Sequence, residues 1–374
     1  MLTSFKTYLR KNFPFAVSVG QRIKAKRWPK GSIVYYTGNR KDGLTPLNLK
    51  KGTSGTDSAV IYLCREWAKA GREVTVYSNC GDHEGIYEGV NYINHYCFNP
   101  RDKFDTLIIL SHPYLLNLPV RARKVCWDWH DILGEERVYP RHKIAHFDKI
   151  FVKSQYQRNL LPEIADEKFT IITNGIDKKF TQFPQQDREP LKLIYASRYY
   201  RGLEQMLEYG WPIIRRSLPT VELHIYHGWS RRELHIQHEQ WRKKMENLFQ
   251  QDGIFEYGRV SQIKLISEKA NASIHYYACT YPEIDCISIR ESAAVGCVPV
   301  TTDFAVFSEK KYCVKVQGEP NARETQEAIA YCIIDLLKDQ SRLSQLRTQF
   351  SNLAIQETWE KNSQSWLQAL ESDL

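Results

Sequence analysis

The sequence predicts an α/β protein built on two doubly wound parallel sheets. Three observations lead there. At 374 residues the chain exceeds what one ordinary core organises, so two domains of about 150–180 residues are expected. Short apolar runs alternate with helical stretches, the pattern of parallel strands joined by crossover helices. That alternation occurs twice, on either side of the polar, proline-bounded stretch Thr181–Pro190, which reads as a linker.

In chain order, the first strand is Ser32–Thr37, followed by a polar loop through Gly43 to Gly55. A helix with apolar positions Ala59, Leu63, Trp67 and Ala70 closes at Gly71, and Val74–Tyr77 is the next strand. This unit puts a glycine at a helix start, where free N–H groups hold phosphate, and marks a Rossmann-like domain. Further strands are expected at Thr106–Leu110, Lys124–Trp127, Lys149–Val152 and Phe169–Ile172. The second set comprises Leu191–Tyr195, Val221–Tyr226, Ile254–Tyr257, Ala272–Tyr276 and a buried strand from Val298. Helices follow Gln326 and Gln340, and Trp359, Trp366 and Leu370 recur at helical spacing. The resulting division is an arm (1–30), a first Rossmann-like domain (31–180), a second (181–355) and a terminal helix (356–374).

Composition narrows the class. Nine scattered cysteines without a Cys-x-x-Cys pair read as reduced thiols of a cytoplasmic protein. No apolar stretch reaches the length of a membrane span, and no signal-peptide run is seen. The formal charge of +9 is concentrated in residues 1–30, which hold eight cations and no acid. There Leu2, Phe5, Leu9 and Phe13 recur at helical spacing up to Pro14. Such a stripe predicts reversible attachment to an anionic inner membrane face, bringing the cleft to a lipid-linked acceptor. The alternative is a basic helix folded on the protein's own surface. No nucleic-acid partner is expected.

The chemistry centres on Glu283 and Glu291. An apolar run ends at Ala278, a Pro-containing loop presents Glu283, and a short helix opens near Ile287, carries Glu291 and closes at Gly296 before Val298-Pro-Val. Free N–H groups at Ile287 and Ser288 can hold phosphate, with one acid on each side to grip hydroxyls. A sugar–diphosphate–nucleoside presents those groups. An exposed acidic loop beside a core helix is the alternative.

At Glu283, Ile287, Glu291, Gly296, Pro299 and Val300 the chain resembles the retaining glycosyltransferases of family 4. That resemblance implies the GT-B fold, two Rossmann-like domains facing across a cleft. Asp285 and Cys286 stand where Phe and Gly are usual. The run Ala196–Leu203, Ala-Ser-Arg-Tyr-Tyr-Arg-Gly-Leu, resembles the family's Gly-Arg-x-x-x-x-Lys-Gly, implying that Arg198 and Arg201 clamp the donor diphosphate. A solvated surface pair is the alternative. Gly55, within Ser54–Asp57, resembles the family's Gly-Gly-x-Glu helix start, and an ordinary N-cap is an equal reading. His130, ending Cys126–Asp131, resembles a histidine facing the donor sugar, against the alternative of a structural His. Tyr257 and Gly258 resemble the turn beside the nucleotide base. Ser154 and Asn174–Asp177 also fit, the latter read as a tight turn and left out of the site.

The resemblance implies a catalytic set of Glu283, His130, Arg198 and Arg201. The nucleotide sugar would be bound by Gly55, Arg198, Arg201, Tyr257, Gly258, Glu283, Cys286, Ile287, Ser288 and Glu291. No metal or cofactor is implied. The donor would be a UDP or GDP sugar and the acceptor a glycan or lipid-linked hydroxyl. A GT-B sugar-nucleotide epimerase and a non-catalytic GT-B binding subunit remain as alternatives.

Overall fold

The computed structural model describes residues 14–40, 43–111, 120–132, 141–181, 188–230 and 233–372. The first sheet has eight strands: β1 (Ile33–Tyr36), β2 (Val74–Ser78), β3 (Gly85–Tyr87), β4 (Val90–Asn94), β5 (Lys103–Leu110), β6 (Arg121–Asp128), β7 (Lys149–Val152) and β8 (Phe169–Ile171). Their order is β3-β4-β2-β1-β5-β6-β7-β8, parallel except for the β3–β4 pair. The second sheet contains β9 (Glu189–Ala196), β10 (Glu222–Tyr226), β11 (Ile254–Glu256), β12 (Ala272–Tyr277), β13 (Val298–Thr302) and β14 (Val314–Val316). Its order is β11-β10-β9-β12-β13-β14, parallel throughout. This is the GT-B arrangement of two Rossmann-like sheets.

Central strands read as continuous apolar runs because both faces are covered. In β1, Ile33 and Tyr35 enter one core and Val34 the other. The strands absent from the sequence reading are the three-residue edge strands β3 and β14, and β4, whose side chains alternate between buried and half-buried. The β3–β4 hairpin turns through Glu88 (φ 50°) and Gly89 (φ 81°), without the Asn-Gly or Asp-Gly that flags such turns. β9 already begins at Glu189, inside the stretch read as linker.

At the N-terminus, Pro14 opens a helix, Pro14–Ile23, where the apolar spacing had suggested an end. Proline suits a first helical turn because that N–H has no intrahelical acceptor. The stripe from Leu2 to Phe13 lies outside the described residues. Among the described residues no helix is long and apolar enough to cross a membrane.

The terminal helix Trp359–Glu371 returns to the first sheet, where Trp359, Trp366 and Leu370 join the core of the Gly55–Lys69 helix. Trp366 stacks on Phe151 at 3.5 Å between centroids and meets Trp67 edge-on at 5.5 Å. Just upstream, Ile176 N–H donates to Glu357 O (2.9 Å) and Trp359 N–H to Ile176 O (3.1 Å). A Cβ on Gly175 would lie 2.4 Å from Trp359 N, so this glycine serves close backbone approach more than the turn that its sequence suggested.

Candidate functional site

The helix Ile287–Ala294 starts beyond the carboxyl end of β12. Cys286 caps it with φ 63°, a left-handed conformation that suits glycine and costs other residues on the order of 1–2 kcal/mol. Among the described residues, the N–H groups of Ile287 and Ser288 have no hydrogen-bond partner. Replacing Cys286 by Gly is expected to leave the loop in place and raise stability by up to about 1 kcal/mol, once the greater freedom of an unfolded glycine is subtracted. Chemical denaturation measures it; a loss of stability would mean that the half-buried thiol contributes more than the strain costs.

Lys269 locks this helix start. Its fully buried ammonium donates to Ser288 O and Oγ (both 3.0 Å) and to Glu291 Oε2 (2.7 Å). Ser288 Oγ in turn donates to Ala196 O at the end of β9 (3.0 Å). Glu291 Oε1 accepts from Gln262 Nε2 (3.1 Å), and the Gln262 carbonyl accepts from Tyr62 OH of the first sheet's main helix.

Glu283 is 7% exposed. Both of its bonds reach Oε1, from Tyr277 OH (2.7 Å) and from the Arg201 guanidinium. Among the described residues Oε2 accepts nothing. Tyr277 is also 3.1 Å from Ser197 Oγ; burial, with negative neighbours including Glu283, pushes its hydroxyl pKa well up, so it stays a donor. Arg201 lies over the Tyr281 ring at 4.4 Å, and its Nε has no partner among the described residues. Burial disfavours its charge, but Glu283 together with Tyr277, Tyr200 and Cys279 more than offsets that, and its pKa rises. Gly202 makes the turn possible: at φ 108°, a Cβ there would lie 2.3 Å from Ala278 O. Arg201 N–H donates to Arg198 O (3.1 Å), which closes the loop, and the Arg198 side chain donates to Tyr200 OH (3.1 Å).

The first sheet's main helix opens against this site. A Cβ on Gly55 would be 3.7 Å from Ile287 Cδ1, and one on Gly52 would be 2.5 Å from Val260 O. Ser54 accepts from Asp57 N–H (3.1 Å) and Arg40 forks onto Asp57 (2.8–2.9 Å). Ser54 is therefore an N-cap, and Gly55 abuts Ile287. The Tyr257–Gly258 turn lies farther along the sheet edge. Tyr257 stacks on Tyr226 (5.0 Å, 10°), while Gly258 accepts from His227 N–H (2.9 Å).

His130 belongs to a separate cluster. Its Nε2 lies 3.1 Å from Asp128 Oδ2, and Asp128 also accepts from Lys153 Nζ (2.6 Å) and Tyr35 OH. Burial lowers the His130 pKa below its ordinary value; Asp128 opposes this and Lys153 reinforces it. The imidazole is thus neutral near pH 7, hydrogen-bonded to Asp128 and to neither glutamate.

Four residues of this region escaped the sequence reading as contributors: Lys269, Tyr277, Arg290 and Lys310. Asp285, 1% exposed, receives a fork from Arg290 (2.6 and 2.9 Å), Lys310 Nζ (2.7 Å) and Thr173 Oγ1 (2.5 Å). Arg290 continues to Glu357 Oε2 (2.5 Å), which also accepts from Tyr312 OH (2.9 Å). Asp285 therefore braces the loop against the end of β8 and the terminal segment. The one signal in the sequence was the Asp285–Arg290 spacing, too common to interpret. Among the described residues, no three His, Cys, Asp or Glu side chains are grouped to hold a metal.

No protein-family model and no curated protein matches the chain. Solved structures do. The sucrose-phosphate synthase of Thermosynechococcus elongatus is similar over 90% of this chain and 98% of its own, with TM-score 0.69 and 12% identity. Anabaena HepE, in complex with UDP and glucose, aligns over 91% and 99% (TM-score 0.65, 12% identity). A glycosyltransferase from Rickettsia africae aligns over 92% and 98% (TM-score 0.66, 13% identity). These neighbours are GT-B glycosyltransferases, and the likeness establishes the GT-B fold for this chain.

Proposed function

We propose that the chain is a retaining, metal-independent glycosyltransferase that moves a sugar from a nucleoside diphosphate to an acceptor hydroxyl. The observation that carries this reading is Glu283. It is a buried acid, oriented through Oε1 by Tyr277 and Arg201, with Oε2 open to sugar hydroxyls and unpartnered N–H groups at Ile287 and Ser288 four and five residues on. Arg198, Arg201 and those N–H groups would neutralise the departing diphosphate. Glu291 would accept from the ribose diol, its carboxylate held by Lys269 and Gln262. Glu283 is tied to Arg201 rather than poised as a covalent nucleophile, so the leaving phosphate oxygen would take the acceptor proton on the face it departs from. His130, neutral and steadied by Asp128, would contribute a hydrogen bond and no charge. A UDP sugar is the first donor to try, since UDP is the ligand of the HepE complex, and the nine free thiols support a reducing, cytoplasmic setting.

Calorimetry with a panel of nucleoside diphosphates, followed by NMR assignment of the product's anomeric configuration, tests the proposal; an inverted product or undiminished need for a divalent ion overturns it. Arg198→Ala is expected to weaken nucleoside diphosphate binding by about 1.5–3 kcal/mol and nucleoside binding hardly at all. Equal losses for the two ligands would remove Arg198 from the clamp.

A further inference from the structure

At the amino edge of the first sheet, opposite the cleft, residues 19–30 and the strand starts form one exposed basic face. Arg22, Lys24, Lys26 and Arg27 are all exposed, and beside them Ile23 is 80% and Val19 40% exposed. The segment is pinned in place. Lys103 N–H donates to Lys26 O and Trp28 N–H to Lys103 O (both 2.9 Å), while buried Trp28 donates its indole N–H to Asp102 (3.0 Å). Arg27 bridges to Lys103, whose register partner on β6 is Arg121, and both Lys103 and Arg121 are exposed. Of the acids at this edge, Asp102 is occupied by Lys26 N–H and Trp28, Asp105 by Gly31 N–H and Arg123, and Glu371 by Arg72, while exposed Glu73 stands at the start of β2.

We propose that this face docks on an anionic lipid bilayer. The cations match the surface charge of acidic headgroups. The apolar side chains decide the occupant: a soluble polyanion has no use for Ile23 and Val19 standing among the cations, whereas an interface accepts apolar side chains below a ring of Lys and Arg. The proposal stands independently of what the cleft transfers. It also has a geometric consequence. β5 runs eight residues from Lys103 to Leu110, so at about 3.3 Å per residue the carboxyl edge of the first sheet, against which the site is built, stands roughly 25 Å above the docked edge. In this orientation an acceptor on the same bilayer must carry its hydroxyl well clear of its lipid.

The test is co-sedimentation of the full chain with phosphatidylcholine vesicles, with and without phosphatidylglycerol. Binding to the phosphatidylglycerol vesicles alone, reversed by salt, is the expected result. Arg22→Gln, Lys24→Gln and Arg27→Gln together should weaken it about a hundredfold, at roughly fivefold per charge. Ile23→Asp should weaken it about tenfold or more, and Ile23→Leu should not. Melting temperature and nucleoside diphosphate binding should be unchanged in every variant, since these side chains are exposed and remote from the site. Equal binding to neutral vesicles, or variants that bind like the parent, would overturn the proposal. So would heparin binding insensitive to Ile23→Asp without vesicle binding, which marks a soluble-polyanion surface, or a dimer dissolved by Ile23→Asp in protein that ignores vesicles.

Discussion

Glu283→Gln is expected to lower sugar transfer by at least about a hundredfold, the scale on which a preorganised polar group acts at a reacting centre. Affinity for the bare nucleoside diphosphate should change little. The amide can still accept from Tyr277 at one oxygen, but its nitrogen replaces an acceptor with a donor where hydroxyls of the sugar must be received, and the ion pair with Arg201 is lost. Glu291→Gln should behave differently, weakening donor and bare diphosphate together, because its carboxylate is bound into the helix start through Lys269. Transfer assays and calorimetry on the two variants separate these outcomes. Full transfer by Glu283→Gln would remove the acid from the centre of the proposed chemistry.

The largest effect on stability is expected from Asp285→Ala, a loss of about 3–5 kcal/mol, because removing one partner leaves buried charges uncompensated. Arg290 is fully buried and Lys310 nearly so, and both donate to this carboxylate. Denaturation midpoints measure the loss; a change under about 1 kcal/mol would mean that Glu357 and Thr173 suffice to hold Arg290. The same ion cluster predicts acid sensitivity. Burial acts to raise the Asp285 pKa, yet Arg290 and Lys310 hold it well below the usual carboxylate range. A carboxylate with a depressed native pKa contributes stability above its unfolded value near 3.9, and that contribution is lost as pH falls toward the native value. Stability of the parent should therefore decline below about pH 4 more steeply than that of Asp285→Ala. Parallel declines would contradict the assignment.

Much of this architecture was legible before any coordinates. The core of nearly every long strand could be placed from apolar runs such as Leu107–Leu110 and Leu193–Tyr195, because a strand covered on both faces announces itself by composition. Strand ends were less visible: β5 and β6 begin three residues before the runs read from sequence, at Lys103 and Arg121; in β6 pairing continues after burial stops, and in β5 the buried but charged Asp105 separates Phe104 from the apolar run. β3 and β14 were missed because three-residue edge strands carry no periodicity, and β4 because the asparagines of Val-Asn-Tyr-Ile-Asn interrupt what would otherwise be an apolar run.

The candidate site divides along the same line. Helix starts, the glycine after Arg201 and the two glutamates lie within short stretches of chain, where dihedral preference, capping and spacing act locally, so the sequence was enough to mark them as one kind of chemistry. What joins them was invisible there. Lys269 meets Glu291 from another helix, Tyr277 aims its hydroxyl back at Glu283 across a turn, and Thr173 and Glu357 close on Asp285 and Arg290 from 112 and 67 residues away. Buried charges find partners by proximity in the folded chain, and one sequence records nothing of that proximity. For the same reason Gly175 reads as a turn until Trp359 packs against it, and the basic stretch before Trp28 reads either as a membrane arm or as a helix on the protein's own surface until β5 fastens Lys26 and Trp28 to the edge opposite the cleft.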